Sequence, residues 1–378
     1  MPTEAMPITP SVITWARTQA GFTLDDATAE FRKIEEWENG EAGPSYPQLE
    51  KLAEKFKVPV AVFFFPEPPD LPPIEETFRT LGAEQIEQIP PKVRLLLRKA
   101  RAFQMGLEEL NQGRNPAQRL ITRDLGFQPT DAVEDIAARV REYLGVSLDA
   151  QFSWGDPETA LTNWRQALLD VGVYVFKDQF RAKDFSGFCL YDAEFPIIYV
   201  NNTTAKTRQT FTLFHELAHL LFHTSGVDTL EDRYIDELVN DAQRIEVICN
   251  RLAACLLVPE DVFDRAFAGR EPSENTAAEL AQLFSVSREF IFRKFLDRDL
   301  ITAADYNRAA RRWAAQRRPG AGGDYYNTKI TYLGYEYITL AFQRYHQSQI
   351  SAEQLADYLD TKPKNIALLE EYMSRRVS

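Results

Sequence analysis

The alternation of apolar and polar positions divides the chain into many helical segments and one short run of strands. Thr9-Pro10-Ser11 opens a helix carrying Val12, Ile13, Trp15 and Ala16, and Thr23 caps a second from Leu24. Asn39-Gly40 closes a helix and Gly43-Pro44 turns the chain. Leu49, Leu52, Ala53 and Phe56 form the apolar face of a helix over residues 46–57. After the proline-dense Pro66-Glu67-Pro68-Pro69-Asp70-Leu71-Pro72-Pro73, helical spacing returns from Pro91 to about Gly113, through Val93, Leu96, Ala100, Phe103, Leu107 and Leu110. Helices are also predicted from about Asp131 to Leu144 and from Asp156-Pro157 to Gly172. Three strands follow: Val173-Tyr174-Val175-Phe176, Gly187-Phe188-Cys189-Leu190 and Pro196-Ile197-Ile198-Tyr199-Val200. Two strongly apolar helices come next. The first runs from Thr207 to about Ser225 and ends at Gly226; the second runs from Arg244 to Leu257 and stops at Val258-Pro259. Between them an acidic loop carries Asp228, Glu231, Asp232, Asp236 and Glu237. Asn275 to Ser287 opens a helix-turn-helix-like pair that continues through Phe295. Further helices are expected at residues 338–345, 351–359 and around Ile366.

The chemistry concentrates in the two apolar helices. The first contains H-E-x-x-H at His215, Glu216 and His219. Four residues along an α-helix turn by about 400°, so both imidazoles point the same way, about 6 Å apart along the axis, and can grip one small ion. Glu216 sits beside the first of them, placed to accept a proton from an activated water. The chain has four histidines; three of them fall between His215 and His223. In the second helix Glu246 and Asn250 lie four apart on one face, and a carboxylate in so apolar a helix needs a metal or a cation. Two histidines and a glutamate with a position left for water form a familiar catalytic zinc set. His223, Tyr234 and Asn250 are accessory candidates: His223 or Tyr234 as a donor to the oxyanion, Asn250 to position Glu246 or the metal helix.

Composition narrows the partners. With 378 residues and 44% hydrophobic content the chain can bury a sizeable core as two or three domains. A formal net charge of -13 argues against broad affinity for nucleic acid or an anionic membrane. No basic segment leads into an apolar run, and no stretch is long enough to span a bilayer. The three cysteines, Cys189, Cys249 and Cys255, lack zinc-finger spacing and suggest buried thiols in a reducing compartment. A cytoplasmic location is expected.

From Asn201 through the run Arg208 to His223 and the run Glu246 to Pro259, the chain resembles the ImmA/IrrE family of bacterial metallopeptidases. The resemblance implies His215, His219 and Glu246 as zinc ligands and Glu216 as general base. The ligand types prefer zinc, with manganese or another divalent ion able to occupy the same set. The start of the chain is similar to the Cro/repressor-type helix-turn-helix fold at Trp15-Ala16-Arg17, Gly21-Phe22-Thr23-Leu24, Trp37-Glu38-Asn39-Gly40, Pro44-Ser45 and Leu49 to Ala53. It departs from that pattern between Leu24 and Trp37, where about four residues are missing, so the recognition helix should be shortened or recast. Residues 1–60 also carry six Lys or Arg against ten Asp or Glu. Phosphate-anchoring cations are therefore scarce and DNA binding is disfavoured. A vestigial module for packing, homodimerisation or holding a partner fits better.

The expected fold class is α+β and mostly helical. A degenerate Cro/repressor-like domain covers 1–66, a proline-rich linker 67–90, a zincin-like peptidase domain with a small sheet 91–300, and a C-terminal helical and aromatic region 301–378. The resemblance implies a zinc-dependent regulatory endopeptidase acting on one protein, often a transcriptional repressor. The alternative is a protein-binding regulator or antitoxin that neutralises a toxin such as a ribonuclease; acidic charge suits a basic nuclease surface.

Overall fold

A computed structural model describes residues 6–58, 60–69, 90–128, 130–182, 185–223, 227–229, 241–316 and 323–375. The chain forms two compact units, Met1–Arg101 with Phe180–Ala182, and Ala102–Gln179 with Lys183–Ser378. Tyr234, most of the acidic loop, residues 70–89 of the proline-rich stretch and the glycines at 320 and 322 lie outside the described residues.

The first unit is helical. Helices α1 (Pro10–Gln19), α2 (Leu24–Thr28), α3 (Ile34–Glu38) and α4 (Tyr46–Phe56) surround Val12, Ile13, Ile34, Trp37, Leu49, Leu52, Phe56 and Phe63. Thr23 caps α2 with a reciprocal Thr23–Asp26 pair, as the sequence predicts. The interval between Leu24 and Trp37 holds only two five-residue helices. The buried Arg17 guanidinium grips Glu38 through two hydrogen bonds, 2.7 and 2.9 Å, and donates a third to the Phe22 carbonyl. A long helix, α5 (Pro91–Leu110), crosses from this unit into the second.

The second unit is built on a four-stranded sheet, β1 (Tyr174–Asp178), β2 (Phe185–Leu190), β3 (Ile197–Asn201) and β4 (Val227–Thr229), in the order β1-β3-β2-β4. β1 and β3 are parallel; β2 runs antiparallel to β3 and β4. β4 lies in a segment the sequence reads as loop, and its three residues are too few to show a period. One sheet face is aromatic: Phe103 of α5 stacks on Phe176, Phe188 stacks on Tyr199, and Tyr337 meets Phe176 edge-on. Val175, Cys189, Ile198 and Val200 belong to the large core shared with the helices α6 (Ile121–Asp124), α7 (Val133–Leu144), α8 (Leu148–Ser153), α9 (Pro157–Asp170), α10 (Lys206–Leu221) and α11 (Asp241–Leu257). Strand alternation puts these four on the face opposite the aromatic one. α10 presses closely on β2: a Cβ on Gly187 would meet Thr212 Cγ2 at 2.4 Å and the Tyr199 carbonyl at 3.0 Å, so glycine is required there.

α12 (Glu260–Phe267), α13 (Glu274–Phe284), α14 (Arg288–Asp297) and α15 (Ala303–Ala315) extend this core. Arg141 and Gln151, both buried, staple its far side. Arg141 donates to Gln151 Oε1 and the Leu256 carbonyl, and Gln151 Nε2 to the Leu257 and Phe284 carbonyls. The chain closes with α16 (Tyr325–Leu333), α17 (Tyr335–His346), α18 (Ala352–Tyr358) and α19 (Ile366–Ser374). Tyr337 places α17 over the aromatic sheet face, away from α10. The class is α+β and mostly helical, as the sequence predicts. Among the described residues no helix is long and apolar enough to cross a membrane.

Candidate metal centre

Two helices bring the site together. α10 starts four residues after β3 and buries twelve of its side chains, including His215, Glu216 and His219, all at 0% exposure. It is shorter than its apolar pattern suggests. The helix ends at Leu221 because His223 takes a left-handed conformation, φ 57°. α11 packs beside it and turns Glu246 inward, 5% exposed.

His215 Nε2 lies 3.2 Å from His219 Nε2 and 3.2 Å from Glu246 Oε2, and His219 Nε2 lies 3.2 Å from Glu246 Oε1. One ligand atom from each residue falls within 4.8 Å of the others. Four ligands arranged tetrahedrally around a zinc ion at its usual bond lengths stand about 3.3 Å apart, so these separations suit such an ion. The hydrogen bonding points the same way. His215 Nδ1 sits 3.0 Å from Asn250 Oδ1, an acceptor, which assigns the ring proton to Nδ1 and leaves a lone pair on Nε2. That lone pair faces a carboxylate oxygen, and a shared cation is what two facing acceptors require. The group is therefore a candidate site for a divalent metal.

Charge within the cluster is mutually compensating. Burial works to raise the Glu246 carboxyl, but the charge and hydrogen bond of His219 hold it well below the usual carboxylate range. Burial works against a charged His219, while Cys249 and Glu246 raise it well above its ordinary value. Cys249 is fully buried, and its thiol is pushed up by that burial. It hydrogen-bonds His219 and lies near enough to Glu216 to feel its charge. Cys249 is thus a site neighbour that sequence reasoning read as an ordinary core thiol. Its position three residues after Glu246, on the same helical face, is the signal that could have found it.

The accessory candidates separate. Asn250 joins the site and positions His215, on the metal helix, rather than Glu246. His223 turns away: its Nε2 is 3.2 Å from the Thr122 carbonyl oxygen, and its ring lies 5.0 Å from that of Tyr191. The helix break at its own backbone removes it from the face shared by His215 and His219. Tyr234 lies outside the described residues.

Known proteins are similar to this chain over part of its length. The family described as the IrrE N-terminal-like domain matches residues 169–295. The radiation response metalloprotease IrrE of Deinococcus deserti is 38% identical over 99 residues, 26% of this chain and 34% of that protein. Its namesake in Deinococcus radiodurans is 35% identical over 99 residues, 26% of this chain and 30% of that protein. The chain thus spans about a third of the length of these relatives. A solved Mycobacterium tuberculosis transcriptional regulator aligns over 50% of each chain at 17% identity with a TM-score of 0.29, too low to carry an argument. The matched region is similar to the IrrE metalloprotease domain, and the family match does not extend to the N-terminal helices.

Proposed function

We propose that this chain is a zinc-dependent endopeptidase that hydrolyses one peptide bond in a specific protein partner, a transcriptional repressor. The observation that carries the reading is the convergence of His215, His219 and Glu246 at 3.2 Å separations, with Glu216 between the two histidines in sequence. The naming of the two Deinococcus relatives as metalloproteases supports it.

His215, His219 and Glu246 would hold the metal through two imidazole nitrogens and a carboxylate. Zinc at such a site supplies Lewis acidity, polarising a peptide carbonyl and making water more acidic. The chain's own residues do the remainder. Asn250 holds the His215 ring by its Nδ1 proton, so Nε2 stays a lone-pair donor. The Glu246 carboxyl stays ionised, held so by His219. The Glu216 carboxylate takes one proton from the attacking water and returns it to the leaving amine as the C–N bond breaks. Burial of all four side chains keeps bulk water from competing for these contacts.

Wild-type protein and Glu216→Gln, each used as bait in the native cell, test the proposal. One partner should stay intact with the variant and appear as fragments with wild type, the fragment ends marking the cleaved bond. The same intact partner on both baits would overturn the peptidase reading and favour a binding regulator or antitoxin.

A further inference from the structure

α11 presents more than a ligand to the metal helix. Glu246, Cys249 and Asn250 stand three and four residues apart, so one face of α11 carries all three. Opposite them α10 offers His215 and His219, again four apart and fully buried. Glu246 meets both imidazoles at 3.2 Å, and Asn250 Oδ1 holds His215 Nδ1 at 3.0 Å. Cys249 takes the other imidazole: its side chain hydrogen-bonds that of His219. The thiol is free and has 0% exposure.

Two readings of this thiol compete, a space-filling core residue and a working neighbour of the metal ligands. Its surroundings favour the second. The charged groups that act on Cys249 are His219, Glu246 and Glu216, all members of the site. Cys255, six residues further along α11, is surrounded instead by the charges of Glu260, Lys294, Glu134 and Arg251. Among the described residues the group whose ligand atoms all fall within 4.8 Å is His215, His219 and Glu246, so the Cys249 sulfur stands outside the ligand set. An imidazole turns easily about its last torsion, and its orientation is set by what its two nitrogens meet. His219 Nε2 faces His215 Nε2 and Glu246 Oε1, each at 3.2 Å. The thiol adds a contact from outside that group, in a place where no bulk water competes for it.

We propose that Cys249 is a positioning residue of the metal centre, whose thiol holds the His219 imidazole in the orientation that faces Glu246 and His215, as Asn250 holds that of His215. α11 then supplies one ligand and a brace for each histidine. The inference rests on the metal-site reading above and not on peptide cleavage. It separates three replacements at position 249 by chemistry. Serine keeps a hydrogen-bonding group of similar reach, alanine has none, and valine fills the space without one. A thiol is the weaker hydrogen-bonding group, so serine should hold the ring as well as cysteine does.

The experiment uses the whole chain, stripped of metal and titrated with zinc against a competing chelator. Cys249→Ala should bind zinc about 10- to 100-fold more weakly than wild type, the usual loss when a ligand's outer partner is removed. Cys249→Ser should bind as wild type does. Cys249→Val should follow Cys249→Ala, and it keeps the test valid if the alanine variant fails to fold. Cobalt(II) loaded in place of zinc gives a visible absorption spectrum that follows ligand arrangement; it should change in the alanine and valine variants and return in the serine variant. Cys255→Ala removes a thiol from the same helix and should leave affinity and spectrum unchanged. Wild-type affinity and spectrum in both Cys249→Ala and Cys249→Val overturn the proposal. So does a serine variant as weak as the alanine one, which would make position 249 a matter of packing. Wild type that binds no zinc overturns the metal-site reading itself, a result distinct from the other two.

Discussion

At one end of α10, His215 and His219 face the Glu246 carboxylate at 3.2 Å, whereas near the other the Lys177 side chain feels the charges of Arg165, Lys206 and Glu158. The first cluster is buried, whereas the second includes the exposed Lys206–Glu158 pair, and the two settle their charges differently. In the first, two imidazoles converge on a carboxylate, an arrangement that a cation completes. In the second, Lys177, Arg165 and Lys206 share the acid Glu158.

That contrast can be broken most sharply at the cation end. Glu216→Gln should lower cleavage of the partner about 100- to 10,000-fold, since it removes the proton acceptor and leaves the three ligands. Peptide turnover measured beside metal content checks it; loss of metal in this variant would make Glu216 a structural residue instead. His219→Ala should take bound metal, read by elemental analysis, from one ion per chain to a trace. Asn250→Ala keeps every ligand but frees the His215 ring, and metal affinity should fall about 10- to 100-fold in a competition titration.

The lysine end should respond in the opposite sense. Lys177→Met should stabilise the fold near neutral pH, because burial and the charges of Arg165 and Lys206 disfavour the Lys177 ammonium in the folded chain. The gain should depend on pH. Lys177 has a depressed pKa in the folded chain, so between that value and the unfolded value of about 10.4 the unfolded state binds more protons, and wild-type stability rises with pH. The advantage of Lys177→Met should therefore narrow as pH climbs from neutrality towards about 10; an advantage that stays constant over this range would show that Lys177 is charged in both states. Smallest of all, Lys206→Ala should change stability by less than about 0.5 kcal/mol, since its pair with Glu158 is exposed.

These same residues show which parts of the molecule could be read from the sequence. The metal helix was legible because four-residue spacing is a local property, and Glu246 because a carboxylate among apolar neighbours is anomalous wherever it points. The α+β class followed from strong periodicity in long segments. Cys249 escaped because a thiol reads as apolar until its neighbour is known. Lys177 escaped because the predicted strand stopped at Phe176: a lysine after an apolar run resembles the start of a turn, and only pairing with Val200 carries the strand onward. β4 depends on pairing with β2 across a long stretch of chain, which three residues cannot announce. His223 was misplaced because a left-handed residue ended the helix, a backbone event that an unbroken apolar pattern conceals.

The contact between Gly187 and Thr212 sets a rule of inheritance. Position 187 can accept a larger residue only after position 212 gives up its methyl group, and even then the Tyr199 carbonyl stands in the way. Thr212 sits one turn before His215 and Glu216. A lineage that drifts in the sheet must therefore first drift beside its candidate metal ligands. The two positions should change together or stay fixed together, and Gly187 should persist in descendants whose surfaces no longer resemble this one.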